Sequence, residues 1–130
     1  MTNAEQDRTT DYERVLSALM LWRESRSCID AMPGIYHVTL NRVADRRWPD
    51  NVVSVILQPH QFSSFVPGDP NAVKFPSSDD KEINCALRVV NSPGDDPTGG
   101  ANHYHSGKVP RWAAAMQLVA EIGPFKFYRG

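Results

Sequence analysis

Asp95-Asp96-Pro97-Thr98-Gly99-Gly100-Ala101-Asn102-His103-Tyr104-His105 is the stretch at which the chain changes from helical to extended patterning. Pro97 presets one turn dihedral, and the Gly99-Gly100 pair opens positive φ values closed to other residues. The backbone is thus able to fold sharply and lie close to a ligand. Asn102 to His105 then reads as a short strand, with His103 and His105 on one face and Tyr104 on the other. Two readings stand at this point: a glycine-rich turn feeding an ordinary edge strand, or the floor of a site.

Downstream, Pro110-Arg111-Trp112 turns the chain back, and Ala113 to Ala115 fits a further helical turn. Met116 to Ile122, Gly123-Pro124 and Phe125 to Tyr128 have the form of a β-hairpin that closes a small antiparallel sheet with the His103 to His105 strand. Upstream, Ser78 is placed to cap a helix whose first turn carries Asp79, Asp80 and Glu82, and Ile83, Ala86, Leu87 and Val90 form its apolar stripe. Asn91 to Gly94 ends it. The segment from Val66 to Ser77 holds three prolines and reads, with Gln58 to Phe65, as a long surface loop.

Nearer the start, Val52 to Leu57 is β-rich in composition but also fits a short amphipathic helix capped by Asp50 or Asn51. Met32-Pro33-Gly34 opens another, with proline in the first turn where its missing amide proton costs nothing. Ile35, Val38 and Val43 give it part of a buried face, and Asn41 aims an amide close to that face. Thr10-Asp11-Tyr12-Glu13 has the form of a capping box. From it Tyr12, Val15, Leu16, Leu19 and Trp22 recur as one stripe, which puts Glu24 at the helix C-terminus. The last carbonyls there disfavour an ionised carboxylate by about 0.3–1 kcal/mol; a glutamate kept protonated is a usable acid, and a plain exposed glutamate fits the same residues. The expected organisation is therefore α+β, with a flexible tail over residues 1–9 and a single domain over 10–130.

A chain of 130 residues with formal net charge −1 is one domain without a nucleic-acid footprint, although Arg42, Arg46 and Arg47 cluster beside Trp48. The polar N-terminus carries no export signal, and no apolar run spans a bilayer. The expectation is a protein made in the cytoplasm without stable membrane association. Cys28 and Cys85 have no metal-binding spacing and are expected as free thiols.

Glu24, Asn41-Arg42-Val43, Gln61-Phe62-Ser63, Asp96 to Ala101 and Ile122 to Tyr128 occur in an order and spacing that resemble the SleB-type cell wall hydrolases. That family comprises spore-cortex-lytic enzymes and related phage lysins. The resemblance runs from Val15 to Arg129 and implies a mainly helical, lysozyme-like fold with a small sheet, acting on the glycan strand of peptidoglycan. It implies that Glu24 is the general acid and base, and that Asn41, Gln61, Ser63, Thr98, Tyr104 and His105 line the groove. The family's E-A-R-G-E run stands here as Glu24-Ser25-Arg26-Ser27-Cys28, so its second acid is Cys28, and Phe125 stands where a histidine is usual.

Glycosidases ordinarily place two carboxylates across the scissile bond. One acid suffices if the C6 hydroxyl of N-acetylmuramic acid attacks its own anomeric carbon, which is lytic transglycosylation and needs no cofactor or metal. Burial beside Trp22 and the helix end would favour the protonated acid. Asp95 or Asp96 as a second carboxylate would instead make a hydrolytic muramidase. His103 and His105, with His60 or Asp96, would suit a zinc-dependent N-acetylmuramoyl-L-alanine amidase. A non-catalytic glycan-binding module would keep Trp48, Phe62, Tyr104 and Trp112 but not need Glu24. The missing export signal suggests a phage or prophage endolysin that reaches the wall through a pore opened by a separate protein.

Overall fold

The computed structural model describes residues 3–58, 68–69 and 74–130, with the side chains of 3–9 left aside. Its helices are α1 (Asn3–Ser25), α2 (Met32–Val43), α3 (Val52–Leu57) and α4 (Lys81–Asn91), followed by strands β1 (His103–Ser106), β2 (Gln117–Ile122) and β3 (Phe125–Arg129). Short 3-10 turns at Ile29–Ala31 and Arg111–Ala115 join them. The expected α+β class, mainly helical with a small antiparallel sheet near the C-terminus, is what the chain adopts.

α1 is the central helix, packed against α2, α3 and α4. Its second half is therefore buried nearly all round: Ser17, Ala18, Met20, Leu21, Trp22 and Ser25 are all buried, whereas Tyr12 and Val15 of the expected stripe are exposed. A helix enclosed by three others loses the one-sided pattern on which a stripe depends. The helix also passes through the Thr10 capping signal and begins at Asn3. Nothing between Asn3 and Thr9 is a glycine or proline, and Asp11 is drawn to Arg14 one turn on rather than to a helix start.

α2 starts as expected, with Pro33 in its first turn, and buries Met32, Ile35 and Val38. Asn51 caps α3 by accepting from the Ser54 amide at 2.8 Å. The cap of α4 is Asp80 rather than Ser78. Its Oδ1 accepts from the Ile83 amide at 2.9 Å and from the Trp22 indole at 3.1 Å, so one carboxylate both starts α4 and ties it to α1.

The strands are ordered β1-β3-β2, all antiparallel, with Tyr104 opposite Phe127 and His103 opposite Tyr128. Gly123, at φ +57°, closes the β2–β3 hairpin. Phe125 and Phe127 face the helices and complete the core, joined by Tyr104. β3 is central, so β1 is an edge strand, and its two faces serve different neighbours: Tyr104 looks toward the helices while His103 and His105 look away.

Candidate active site

Glu24 sits one residue before the end of α1, half-buried, and β1 brings Tyr104 to it. The Tyr104 hydroxyl donates to Glu24 Oε1 at 2.5 Å. Burial raises the phenol's pKa well above its ordinary value, the Glu24 carboxylate and the hydrogen bond to it push the same way, and Arg42 partly opposes them. Tyr104 therefore stays a protonated donor at neutral pH. Trp22, expected beside the acid, directs its indole to Asp80 instead.

The glycine-rich turn is built around Asp96. Its Oδ1 accepts from the Thr98 amide at 2.8 Å and the Thr98 hydroxyl at 2.7 Å, and its Oδ2 from the Gly100 amide and the Asn41 amide nitrogen, both at 2.9 Å. Burial acts to raise the pKa of this carboxyl, but the four hydrogen bonds outweigh it and leave the value below the usual range. Asn41 spends its second amide hydrogen on the Ala101 carbonyl at 2.8 Å, which joins α2 to the turn. Thr98 is buried, and its hydroxyl also accepts from the Ala101 amide at 3.1 Å. Gly99 and Gly100 take φ values of +67° and +100°.

Among the residues expected to line a groove, Tyr104 lies beside Glu24, while Asn41 and Thr98 are engaged within the turn. His105 is on the other face of β1, its Nε2 2.8 Å from the Tyr128 hydroxyl. Gln61 and Ser63, like His60 and Phe62, lie outside the described residues. Asp95 is exposed. Phe125 is buried against Tyr104, ring centroids 6.0 Å apart, so this departure from the family pattern fills core. The half-buried Cys28 meets the hairpin: a Cβ on Gly123 would stand 2.8 Å from its Sγ. Both cysteines are free.

Sequence reasoning did not foresee the arrangement around Arg42. Its guanidinium is buried, donates from Nε to the Asn102 carbonyl at 2.8 Å and lies 5.4 Å from the Trp48 ring centre. Burial lowers its pKa to about 10. His103 is held down to about 4, first by burial and then by Arg42 and Arg47. The Asp-Pro-Thr spacing carried a legible signal for the turn anchor, since aspartate two residues before threonine commonly bonds its own backbone. The Arg42 contact with Asn102, sixty residues away, had no local signal.

Among the described residues no three His, Cys, Asp or Glu side chains converge as a metal site, and no helix is long and apolar enough to cross a membrane. A family model described as Cell Wall Hydrolase matches residues 28–128. The chain belongs to this family. The cell wall hydrolase also superimposes on the catalytic domain of the germination-specific lytic transglycosylase SleB from Bacillus anthracis, with TM-score 0.72 and 25% identity over 90% of this chain and 93% of that one. The catalytic domain of the Bacillus cereus SleB protein gives TM-score 0.70 and 26% identity over 90% and 89% of the two chains. No curated protein matches the cell wall hydrolase. The family match begins after Glu24, so the case for that residue rests on where the fold puts it.

Proposed function

We propose that the protein cleaves the glycan strand of peptidoglycan by lytic transglycosylation, with Glu24 as both general acid and general base. The observation that carries this reading is the Tyr104 hydroxyl held at 2.5 Å from Glu24 Oε1. It fixes one oxygen of the carboxyl group, and Oε2 is assigned to exchange a proton with substrate. Glu24 donates its proton to the glycosidic oxygen, and the bond from the anomeric carbon of N-acetylmuramic acid to that oxygen breaks. The C6 hydroxyl of the same sugar then attacks the anomeric carbon and returns its proton to the Glu24 carboxylate. The ring closes as a 1,6-anhydro end, and the acid is restored without water.

Of the two aspartates weighed as a second carboxylate, Asp95 is exposed, and the engagement of Asp96 favours this reading over hydrolysis by that residue. A second carboxylate must be available to act as nucleophile or to activate water. Asp96 has its oxygens engaged by Asn41, Thr98 and Gly100. The name of the SleB domain from Bacillus anthracis, a lytic transglycosylase, agrees with the proposal. Purified peptidoglycan should be digested and the products weighed with and without borohydride. Anhydro-muramic ends, one water lighter and resistant to reduction, are expected. Predominantly reducible muramic ends would reject transglycosylation while keeping Glu24 as the acid.

A further inference from the structure

The face of β1 turned away from Glu24 carries a second arrangement that the cleavage chemistry does not use. Asn102 is buried, and its amide orientation is unambiguous: Nδ2 donates to the Gly130 carbonyl at 2.9 Å and Oδ1 accepts from the Gly130 amide at 3.2 Å. His103 Nδ1 lies 2.8 Å from that same Oδ1. An oxygen needs a donor, so His103 carries its proton on Nδ1 and presents Nε2 as a lone-pair acceptor. Burial and the neighbouring Arg42 and Arg47 keep the ring uncharged at neutral pH.

Around this acceptor stand two half-exposed indoles, Trp112 at 5.2 Å and Trp48 at 5.7 Å between ring centres. Two of the nearby cations, Arg42 and Arg47, lie over the Trp48 ring, 5.4 Å and 4.7 Å from its centre, and are engaged elsewhere as well. Arg42 bonds the Asn102 carbonyl, and Arg47 pairs with Asp45 at 2.8 Å and donates to the Gly130 carbonyl at 2.7 Å. With Trp48 covered in this way, what is offered to a ligand is the indole of Trp112 and a neutral acceptor on His103. That suits an uncharged molecule with a C–H face and hydroxyl donors, because the electron-rich face of an indole attracts polarised C–H groups. A pyranose ring has both features.

We propose that Trp112, His103 and Trp48 form an accessory saccharide platform that takes an N-acetylhexosamine ring of the glycan strand outside the cleavage site. The ring stacks on Trp112, a hydroxyl donates to His103 Nε2, and Trp48 closes one side. The platform and the acid share one edge strand, Tyr104 reaching Glu24 from one face and His103 pointing from the other. A polymer crossing the edge of β1 that no described strand pairs is thereby able to engage both. The identity of the strand as peptidoglycan rests on the function proposed above.

The test adds N,N′,N″-triacetylchitotriose to Glu24→Gln protein and follows indole and imidazole signals by NMR. Shifts at Trp112 and His103 Nε2 are expected, apart from any around Tyr104. Trp112→Leu keeps apolar bulk without the indole face and should weaken the Trp112-side binding about tenfold. Should that variant fold poorly, His103→Phe keeps a ring, removes the acceptor and should weaken it about threefold to tenfold. Shifts confined to the Tyr104 side, or none at all, overturn the platform. Release of fragments from peptidoglycan by the unaltered enzyme is measured alongside. No release with Trp112 shifts intact overturns the cleavage reading alone, and release without them overturns the platform alone.

Discussion

The Tyr104 hydroxyl and the Glu24 carboxylate, eighty residues apart in the chain, are joined by a hydrogen bond of 2.5 Å that ties the edge strand of the sheet to the end of the central helix. The helical lobe supplies the carboxyl group and the sheet supplies the hydroxyl that orients it. The register of β1 on β3 sets this contact, since a slip by one residue would turn Tyr104 outward and a histidine inward.

Glu24→Gln keeps the shape of the side chain but is unable to cycle a proton. It should fold normally and lose about 10²–10⁴ in rate. Tyr104→Phe keeps the ring in the core and deletes one bond to a charged group, so a loss of roughly 10-fold to 100-fold is expected. Fragment release from peptidoglycan measures both, with circular dichroism as the check on folding. Near-normal release by Glu24→Gln would remove this residue from the mechanism.

Asp96→Asn should destabilise the fold by about 2–3 kcal/mol at neutral pH, because the Thr98 and Gly100 amides lose a charged acceptor. The sign of the pH dependence follows from the depressed folded-state pKa. The stabilisation is fully present above the unfolded value of about 3.8 and is lost as pH falls through the lower folded value. Melting temperatures of the two proteins should therefore converge below about pH 4. A constant difference from pH 7 down to pH 3 would contradict the anchoring role.

Local chemistry made much of the fold legible. Pro33 announced α2, Asn51 announced α3, and alternation around Gly123 announced the hairpin, each a rule acting within a few residues. The boundaries that failed are those where distant groups decide. Asp80 rather than Ser78 caps α4 because Trp22 of α1 meets it, and α1 hides its amphipathic pattern because helices surround it. In the candidate site, Glu24 and Tyr104 were both nominated but their bond was not, since strand alternation gives a direction and no partner. The sequence offers Asp96 as a second carboxylate or a zinc ligand, and its engagement by Asn41 of α2, 55 residues away, has no local signal.

His103 should titrate near 4 and carry its proton on Nδ1 when neutral. A folded value below the ordinary 6.5 means the neutral ring stabilises the fold fully above 6.5, an effect lost as pH falls toward 4. Long-range proton–nitrogen NMR reads both the tautomer and the midpoint. Arg47→Ala removes one of the repelling charges and should move the midpoint upward. A proton found on Nε2 in the neutral ring would contradict the hydrogen bond to Asn102.

Gly34→Ala separates helix propensity from packing where α2 crosses β3. In an open helix the change would stabilise by about 1 kcal/mol, because alanine has less backbone freedom to lose. Here a Cβ would stand 2.8 Å from Phe127 Cζ, 3.0 Å from Cε1 and 3.2 Å from Thr98 Cγ2. Phe127 is fully buried and Thr98 is held by Asp96, so neither yields easily. Overpacking costs about 1–3 kcal/mol, which offsets the propensity gain and leaves a net loss. Phe127→Leu alone should also destabilise by opening a cavity. The pair Gly34→Ala with Phe127→Leu should be more stable than the sum of the two single changes implies, because the new methyl enters the space the ring leaves. Thermal unfolding of all four proteins measures this coupling, and a stabilised Gly34→Ala single variant would refute the close approach of α2 to Phe127.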